Sequence, residues 1–146
     1  MKLLLFIIPV VIVGWIIGWL NVPGPWYQSL TKPAFNPPNW VFAPVWTALY
    51  VMIGAVGWRV WERSADKGLR VLWVAQLALN YAWSPAFFGA EKPGLALLVI
   101  SLLLATVLAF ILRARRIDPA SVALFMPYLA WVAFASVLNF EIWRLN

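Results

Sequence analysis

The residue types that most enzymes use for polar chemistry are scarce in this sequence. The 146-residue chain contains no cysteine and no histidine. It therefore offers no thiolate nucleophile, no imidazole base and neither of the side chains that most often bind zinc. No carboxylate lies in the middle of an apolar segment, where an ion-coupled transporter would need one. We expect no metal site and no hydrolytic chemistry; the acids are Glu62, Asp66, Glu91, Asp118 and Glu141.

Amide side chains at helical spacing are the first feature that could form a site. Gln76 and Asn80 lie one helical turn apart in an apolar segment and share a face, with Trp83 beside the same stripe. At membrane depth such side chains cost free energy unless they face the protein interior and find partners. Two interpretations stay open, an interhelical hydrogen-bond clamp and the lining of a pocket, and Asn80 could serve both.

Aromatic residues form two further stripes at helical spacing. A large ring next to a small residue leaves a recess, so Ala135 could form the floor of a site; ordinary packing between helices is the alternative interpretation. A chamber of indole rings suits a flat, conjugated, largely apolar ligand that stacks on them. Indole is also readily oxidised, so a photo-excited ligand could react there without a conventional catalytic residue. The stripes are Tyr128, Trp131, Ala135 and Asn139, and Trp46, Tyr50, Ile53 and Gly57.

The elements that must position these residues are membrane helices. The chain is 64% hydrophobic and only 11% charged, whereas a soluble domain carries roughly 25% charged residues. Five apolar segments are long enough to cross a hydrocarbon core of roughly 30 Å as helices. We predict an all-α membrane protein, a five-helix bundle forming one domain over residues 1–146. The predicted spans are Leu3–Leu20, Val41–Trp61, Leu69–Phe88, Leu95–Leu112 and Ala120–Trp143.

Basic residues in the connections predict the orientation of the bundle. The net charge of +6 falls in short clusters beside apolar segments, which is typical of topology signals and does not indicate a nucleic-acid partner. Because Lys and Arg concentrate on the cytoplasmic side, the N-terminus is predicted inside and the C-terminus outside, in a membrane that we expect to be the bacterial cytoplasmic membrane. The inner group is Lys2, Arg59, Arg63, Lys67, Arg70, Arg113, Arg115 and Arg116, and the outer group is Lys32, Lys92 and Arg144.

The stretch between the first two spans is predicted to cover the pocket. Its prolines prevent a regular helix up to about Asn39. Its aromatic residues are too apolar for a solvated linker, so the stretch must lie on something. With the predicted topology it sits directly above Trp46, Asn80 and Ala135. The predicted lid residues are Trp26, Phe35, Pro37, Pro38 and Trp40.

A glycine motif in the first span indicates close helix packing. Gly14 and Gly18 form GxxxG, which lets two helix backbones approach each other. A homodimer through this face is one prediction. Tryptophans near the predicted interfaces are assigned mainly to the aromatic belts of the bilayer; they are Trp19, Trp26, Trp40, Trp61 and Trp143.

These residues resemble the TspO/MBR family of tryptophan-rich sensory proteins, which includes the mitochondrial translocator protein, or peripheral benzodiazepine receptor. The matching segments cover nearly the whole chain from residue 26, in order and at family spacing. They are Trp26-Tyr27, Lys32-Pro33, Asn36 to Phe42, Pro44 to Tyr50, Gln76 to Asn80, Trp83-Ser84-Pro85, Phe87-Phe88-Gly89, Pro127 to Trp131 and Leu138-Asn139-Phe140.

The resemblance implies a five-helix bundle, commonly dimeric, that binds porphyrins such as protoporphyrin IX and haem, sterols and benzodiazepine-type drugs. The family pocket lies beneath the first loop and would use Trp46, Tyr50, Asn80, Trp83, Trp131 and Ala135. Trp46 and Trp131 match tryptophans implicated in light-dependent porphyrin breakdown by some bacterial members. Two positions depart from the family: Phe35 replaces a frequent tryptophan, and Phe140 replaces the tyrosine of the cholesterol-recognition pattern.

Three functions therefore follow as hypotheses. The first is a membrane-embedded binding protein for tetrapyrroles and other flat apolar molecules, acting as sensor or carrier without a required covalent cofactor. The second is photo-oxidative porphyrin degradation with Trp46 and Trp131 as redox-active rings. The third is a scaffold that acts through partner proteins, for which no ligand-sized cavity is needed.

Overall fold

The chain folds entirely into helices and turns. The computed structural model describes residues 1–146. Five long helices follow one another, with a short helix in the first connection and a π-helical turn that continues α4. They are α1 (Lys2–Leu20), α2 (Pro25–Ser29), α3 (Asn39–Glu62), α4 (Lys67–Ser84), the π turn (Pro85–Gly89), α5 (Pro93–Ala114) and α6 (Pro119–Leu145).

Four of these helices are long and apolar enough to cross a membrane: α1, α3, α5 and α6. Their mean hydropathies run from 1.6 for α3 to 3.0 for α5. Helix α4 does not qualify, since its sequence KGLRVLWVAQLALNYAWS mixes charged and amide side chains with the apolar ones. The protein is therefore an all-helical integral membrane protein with four spans recognisable by composition, one fewer than the sequence predicts.

Helix α4 begins with a side-chain cap and ends in an unusual turn. Asp66 accepts a hydrogen bond from the Leu69 N–H at 2.8 Å, which satisfies one of the free donors of the first turn. At the other end, Pro85 opens a turn with wider hydrogen-bond spacing, closed by Ala90 N–H donating to the Pro85 carbonyl. Glu91 follows with φ at +56°, the one non-glycine residue with positive φ.

The short helix α2 departs from the expectation of an irregular stretch up to Asn39. Pro25 occupies the first turn, where its missing N–H costs nothing, and the prolines that prevent a helix all come after Ser29. Downstream, the loop is tied to the end of α6. Thr31 N–H donates to Asn146 Oδ1 at 3.0 Å, and Asn146 Nδ2 donates to the Thr31 carbonyl at 2.9 Å.

Ion pairs join the helix ends at the opposite end of the bundle. Arg59 of α3 makes two hydrogen bonds to Asp118 before α6, at 2.9 and 2.7 Å. Asp66 pairs with Arg113 of α5 at 2.8 Å. Between the two polar ends, apolar side chains of α3, α4, α5 and α6 fill one continuous core that includes Ile53 and Phe110. These ion pairs thus join helix ends on one side of the bundle, and the cavity lies towards the other side.

Candidate functional site

A cavity of about 460 Å³ lies among α1, α3, α4, the π turn and α6. It occupies the end of the bundle opposite the ion pairs and extends beneath the first connection. No charged side chain lines it. The wall is formed by Gly14, Trp15, Gly18, Trp19, Asn21, Val22, Pro23, Tyr27, Asn39, Phe42, Ala43, Trp46, Tyr50, Asn80, Trp83, Ser84, Phe87, Phe88, Trp131, Ala135, Leu138, Asn139 and Ile142.

Helix α3 supplies Trp46 and Tyr50, which lie one turn apart because α3 continues through Pro44 without losing its helical spacing. Their ring centroids are 5.7 Å apart at an interplanar angle of 31°. Tyr50 also packs against Gly14 of α1, where the absence of a side chain leaves room for the ring. The two rings form one aromatic surface of the cavity.

Helix α6 supplies Trp131, Ala135 and Asn139 to the cavity wall. The Trp131 ring packs near Phe42 and Phe134, with centroid separations of 6.0 and 5.5 Å. Its Nε1 is buried and has no hydrogen-bond partner. A buried N–H without a partner is costly, and Trp131 is one of the few wall residues with an unmet hydrogen-bond donor.

The amide groups on α4 and α6 are largely committed to the protein. Trp83 Nε1 donates to Asn139 Oδ1 at 2.9 Å, and Asn139 Nδ2 donates to the Pro93 carbonyl at 2.9 Å. Asn139 thereby fixes the Trp83 ring, which stacks on Phe87 at 5.1 Å. The pair orients an aromatic wall, and both the oxygen and the nitrogen of the Asn139 amide have partners.

Gln76 takes the clamp role and does not line the cavity. Tyr128 Oη donates to Gln76 Oε1 at 2.8 Å and accepts from Asn80 Nδ2 at 2.8 Å. All three residues are buried. Asn80 does both things that the sequence left open, since it joins the clamp through Nδ2 and also lines the cavity.

The predicted lid residues lie around the cavity and are not part of its wall. Trp40 is 75% exposed, and Phe35 is 49% exposed with its ring 6.2 Å from Phe134. Trp26 packs on Phe87 from outside at 5.8 Å. Pro37 and Pro38 precede α3, with Pro38 as its cap residue. From this part of the chain Tyr27, Asn39 and Phe42 face the cavity instead.

The glycine motif makes its close contact within the chain. A Cβ on Gly14 would lie 2.3 Å from Tyr50 Cε2, so α1 and α3 approach closely at this point. Gly18 has open space around it and lines the cavity. Gly14 is buried and is not free to contact a second copy; the homodimer itself stays a prediction.

Several wall residues were not identified by sequence reasoning. Phe87 and Phe88 are directed inward by the π turn, whose altered spacing no hydropathy pattern reveals. Asn21 lies at the end of α1, where its Nδ2 donates to the Ile17 carbonyl at 2.8 Å. Tyr27 is only 4% exposed, and burial raises the pKa of its phenol above the ordinary value, so the ring is neutral at physiological pH. In the sequence, only the match of Trp26-Tyr27 to the family pointed to Tyr27.

A fold of apolar helices around an aromatic cavity with no charged lining residue defines an integral membrane protein with an internal apolar cavity. The sequence model of the TspO/MBR family matches residues 5–144. The chain therefore belongs to the TspO/MBR family.

Curated relatives agree with this assignment. Protein CrtK of Rhodobacter capsulatus is 39% identical over 133 residues, which is 88% of this chain and 83% of that protein. Tryptophan-rich protein TspO of Chlorobaculum tepidum is 41% identical over 129 residues, covering 85% of this chain and 82% of the relative. The human translocator protein is 39% identical over 126 residues, covering 83% and 75% respectively.

Proposed function

We propose that the protein binds porphyrins and similar flat, largely apolar molecules within the membrane, as a sensor or carrier. The observation that carries this proposal is the 460 Å³ cavity walled by Trp46, Trp83 and Trp131 without a charged side chain. Pockets for small organic ligands commonly measure about 300–1,000 Å³ and present apolar walls with a few polar groups. Protoporphyrin IX or haem, as a ligand and not as a covalent cofactor, fits this chemistry.

The proposed membrane arrangement has five spans. Helix α4 and the π turn together run from Lys67 to Gly89, which at about 1.5 Å per residue is long enough to cross the hydrocarbon core. Asp66, the cap residue of α4, pairs with Arg113, and the amide residues Gln76 and Asn80 that lower the hydropathy of α4 are buried inside the bundle. The N-terminus lies in the cytoplasm of a bacterial cell, the loop over residues 25–38 covers the outer end of the cavity, and two copies form a homodimer.

Titration with protoporphyrin IX in the dark tests the binding proposal. Trp131→Ala removes a wall ring and is expected to weaken binding at least about fivefold, since aromatic contacts of this kind contribute roughly 1 kcal/mol beyond area burial. Trp58→Ala is the matched control, because that ring packs on Arg63 outside the cavity wall. Saturable quenching of tryptophan fluorescence in wild type and Trp58→Ala, weakened only in Trp131→Ala, is the expected result. If Trp131→Ala binds protoporphyrin IX as tightly as Trp58→Ala, the cavity is not the binding site.

Photo-oxidative degradation of bound porphyrin is the second candidate function. It is favoured by the presence of Trp46 and Trp131 in the wall of one cavity, where a bound ligand would contact both indoles. Trp46→Phe and Trp131→Phe keep an aromatic wall while removing the readily oxidised indole. Illumination of the titrated sample should bleach the porphyrin faster in wild type than in empty detergent, and the Phe variants should lose this acceleration while still binding. Bleaching at the detergent rate in wild type rejects this function.

A membrane scaffold that acts through partner proteins is the third role. It predicts a bundle without a ligand-sized cavity, so the cavity favours the two binding functions over it. Absence of saturable quenching in the titration would leave the scaffold as the remaining role.

A further inference from the structure

The cavity holds no partner for an ionised group. None of its lining residues carries a charge, and its polar groups are amides, hydroxyls and indole N–H groups. Burying an ion without a counter-charge is far more costly than burying an uncharged polar group. On the function proposed above, the ligand's flat apolar part enters the cavity, and any carboxylate that it bears must stay at the rim. A cation there would decide which ligands are held.

Lys32 supplies a cation at the loop end of the cavity. Its Nζ lies 4.5 Å from the centroid of the Tyr27 ring, and Tyr27 is part of the cavity wall. The ammonium donates one weak hydrogen bond, to the Leu30 carbonyl at 3.4 Å. Since an ammonium has three N–H donors, others remain available.

No acidic residue of the chain neutralises Lys32. Four acids pair elsewhere: Glu62 with Lys2, Asp118 with Arg59, Asp66 with Arg113, and Glu141 with Arg144. The fifth, Glu91, forms no ion pair. Lys32 is half-buried and yet has no counter-ion, so an anion arriving at this point meets an uncompensated positive charge.

The segment that carries Lys32 is held by the surrounding structure. The Tyr27 ring packs edge-on against Phe88 at 5.3 Å and Phe87 at 6.2 Å. The backbone of the preceding residue, Thr31, is held from both sides by the Asn146 amide. The backbone that carries Lys32 is therefore anchored, and this part of the chain needs little ordering when an anion binds.

We propose that Lys32 is a specificity-determining residue that pairs with a carboxylate of the ligand at the rim of the cavity. The class of ligand it selects is a flat apolar molecule with an ionised acid on one edge, inserted with the acid outward. This inference deepens the proposed function and rests on it. Arg144 is excluded from the role because Glu141 neutralises it.

The test compares protoporphyrin IX with its dimethyl ester, which has the same ring but no acid. Dissociation constants are measured in neutral detergent for wild type, Lys32→Met and Lys32→Arg, with Lys92→Met as the matched control. Lys92 is another basic residue at this end of the bundle, at the start of α5; like Lys32 it is not among the wall residues, but unlike Lys32 its ammonium does not lie over a ring of the wall. Thermal melts of each variant establish that it is folded.

Wild type is expected to bind the diacid about three- to tenfold more tightly than the ester, and salt should reduce this preference. Lys32→Met should abolish the preference by weakening the diacid alone, while Lys32→Arg and Lys92→Met retain it. Equal binding of diacid and ester by wild type overturns the inference and leaves the proposed function standing; this comparison does not depend on any variant folding. An equal effect of Lys92→Met also overturns it, and binding of neither compound overturns the proposed function with it.

Discussion

Tyr128 connects α4 and α6 through a single hydroxyl. It donates to Gln76 Oε1 and accepts from Asn80 Nδ2, all within the buried core. Tyr128→Phe leaves one acceptor and one donor without partners in an apolar surrounding. We expect it to lower the free energy of unfolding by about 1–2 kcal/mol, the range for interhelical hydrogen bonds in membranes.

Thermal melting in detergent measures this change. The double variant Gln76→Leu with Tyr128→Phe provides the control, because removing both partners leaves fewer orphaned groups than removing one. A melting temperature for Tyr128→Phe that equals wild type would show that the clamp contributes nothing to stability.

The two glycines of α1 predict opposite outcomes for the same substitution. Gly14→Ala places a Cβ 2.3 Å from the Tyr50 ring, which must move into the cavity. Gly18→Ala meets nothing within 4 Å and gains helix propensity. We expect Gly14→Ala to lower both the melting temperature and porphyrin affinity, and Gly18→Ala to leave the melting temperature unchanged or slightly raised. A similar loss of stability in both variants contradicts the placement of Tyr50.

At the level of the helices, acid pH should loosen the end of the bundle where α3 meets α6. Hydrogen bonds from Arg59, and a further one from Ser121, hold the pKa of Asp118 below its usual range despite partial burial. A carboxyl whose folded pKa is depressed stabilises the fold fully above its unfolded value, about 3.9, and loses that contribution as pH falls through the folded pKa. Arg113, with the Leu69 N–H, lowers the pKa of Asp66 in the same way.

The expected melting temperature is therefore flat near neutral pH and falls below about pH 4. Asp118→Asn should melt lower than wild type at pH 7 and show a smaller fall on acidification. Glu91→Gln, which removes an acid outside the four ion pairs, should follow the wild-type curve. A melting-temperature profile of Asp118→Asn that runs parallel to the wild-type profile would show that the Arg59–Asp118 pair does not cause the fall at acid pH.

The long helices could be predicted from the sequence, whereas the conformation of the first loop could not. The span Val41–Trp61 was expected and Asn39–Glu62 is observed, because a long apolar run has few alternatives in lipid. The cavity-facing sides of α3 and α6 were also readable, since Trp46, Tyr50, Trp131 and Ala135 all line one cavity, whereas Gln76 on α4 does not line it. The sequence did not predict which aromatic rings of the first loop face the cavity. Which of its rings turns inward depends on packing against Phe87 and Phe88, and those are placed by a turn with no hydropathy signature.

On the scale of the whole molecule, the absence of cysteine makes the membrane topology directly measurable. Single cysteines at Arg63 and Glu91 flank α4 and the π turn. If α4 crosses the membrane with the N-terminus inside, an impermeant maleimide added to intact cells labels Glu91→Cys and not Arg63→Cys. Permeabilised cells, in which both label, are the control. Labelling of both positions in intact cells contradicts a crossing by α4, and the reverse pattern contradicts the orientation.

The π turn sets the angular positions, around the helix axis, of the side chains at the end of α4. A hydrogen-bonded ring one residue longer than that of an α-helix inserts an extra residue between Asn80, which faces the core, and the segment that enters α5. Deleting one residue within Pro85–Gly89 would restore a regular α-helix and rotate the following side chains by about 100°. Phe87 and Phe88 would then exchange angular positions with their neighbours, and Tyr27 would lose both rings that hold it. The orientation of the aromatic wall thus depends on the π turn. A mutation that converts this turn into regular α-helix would move the wall residues out of position.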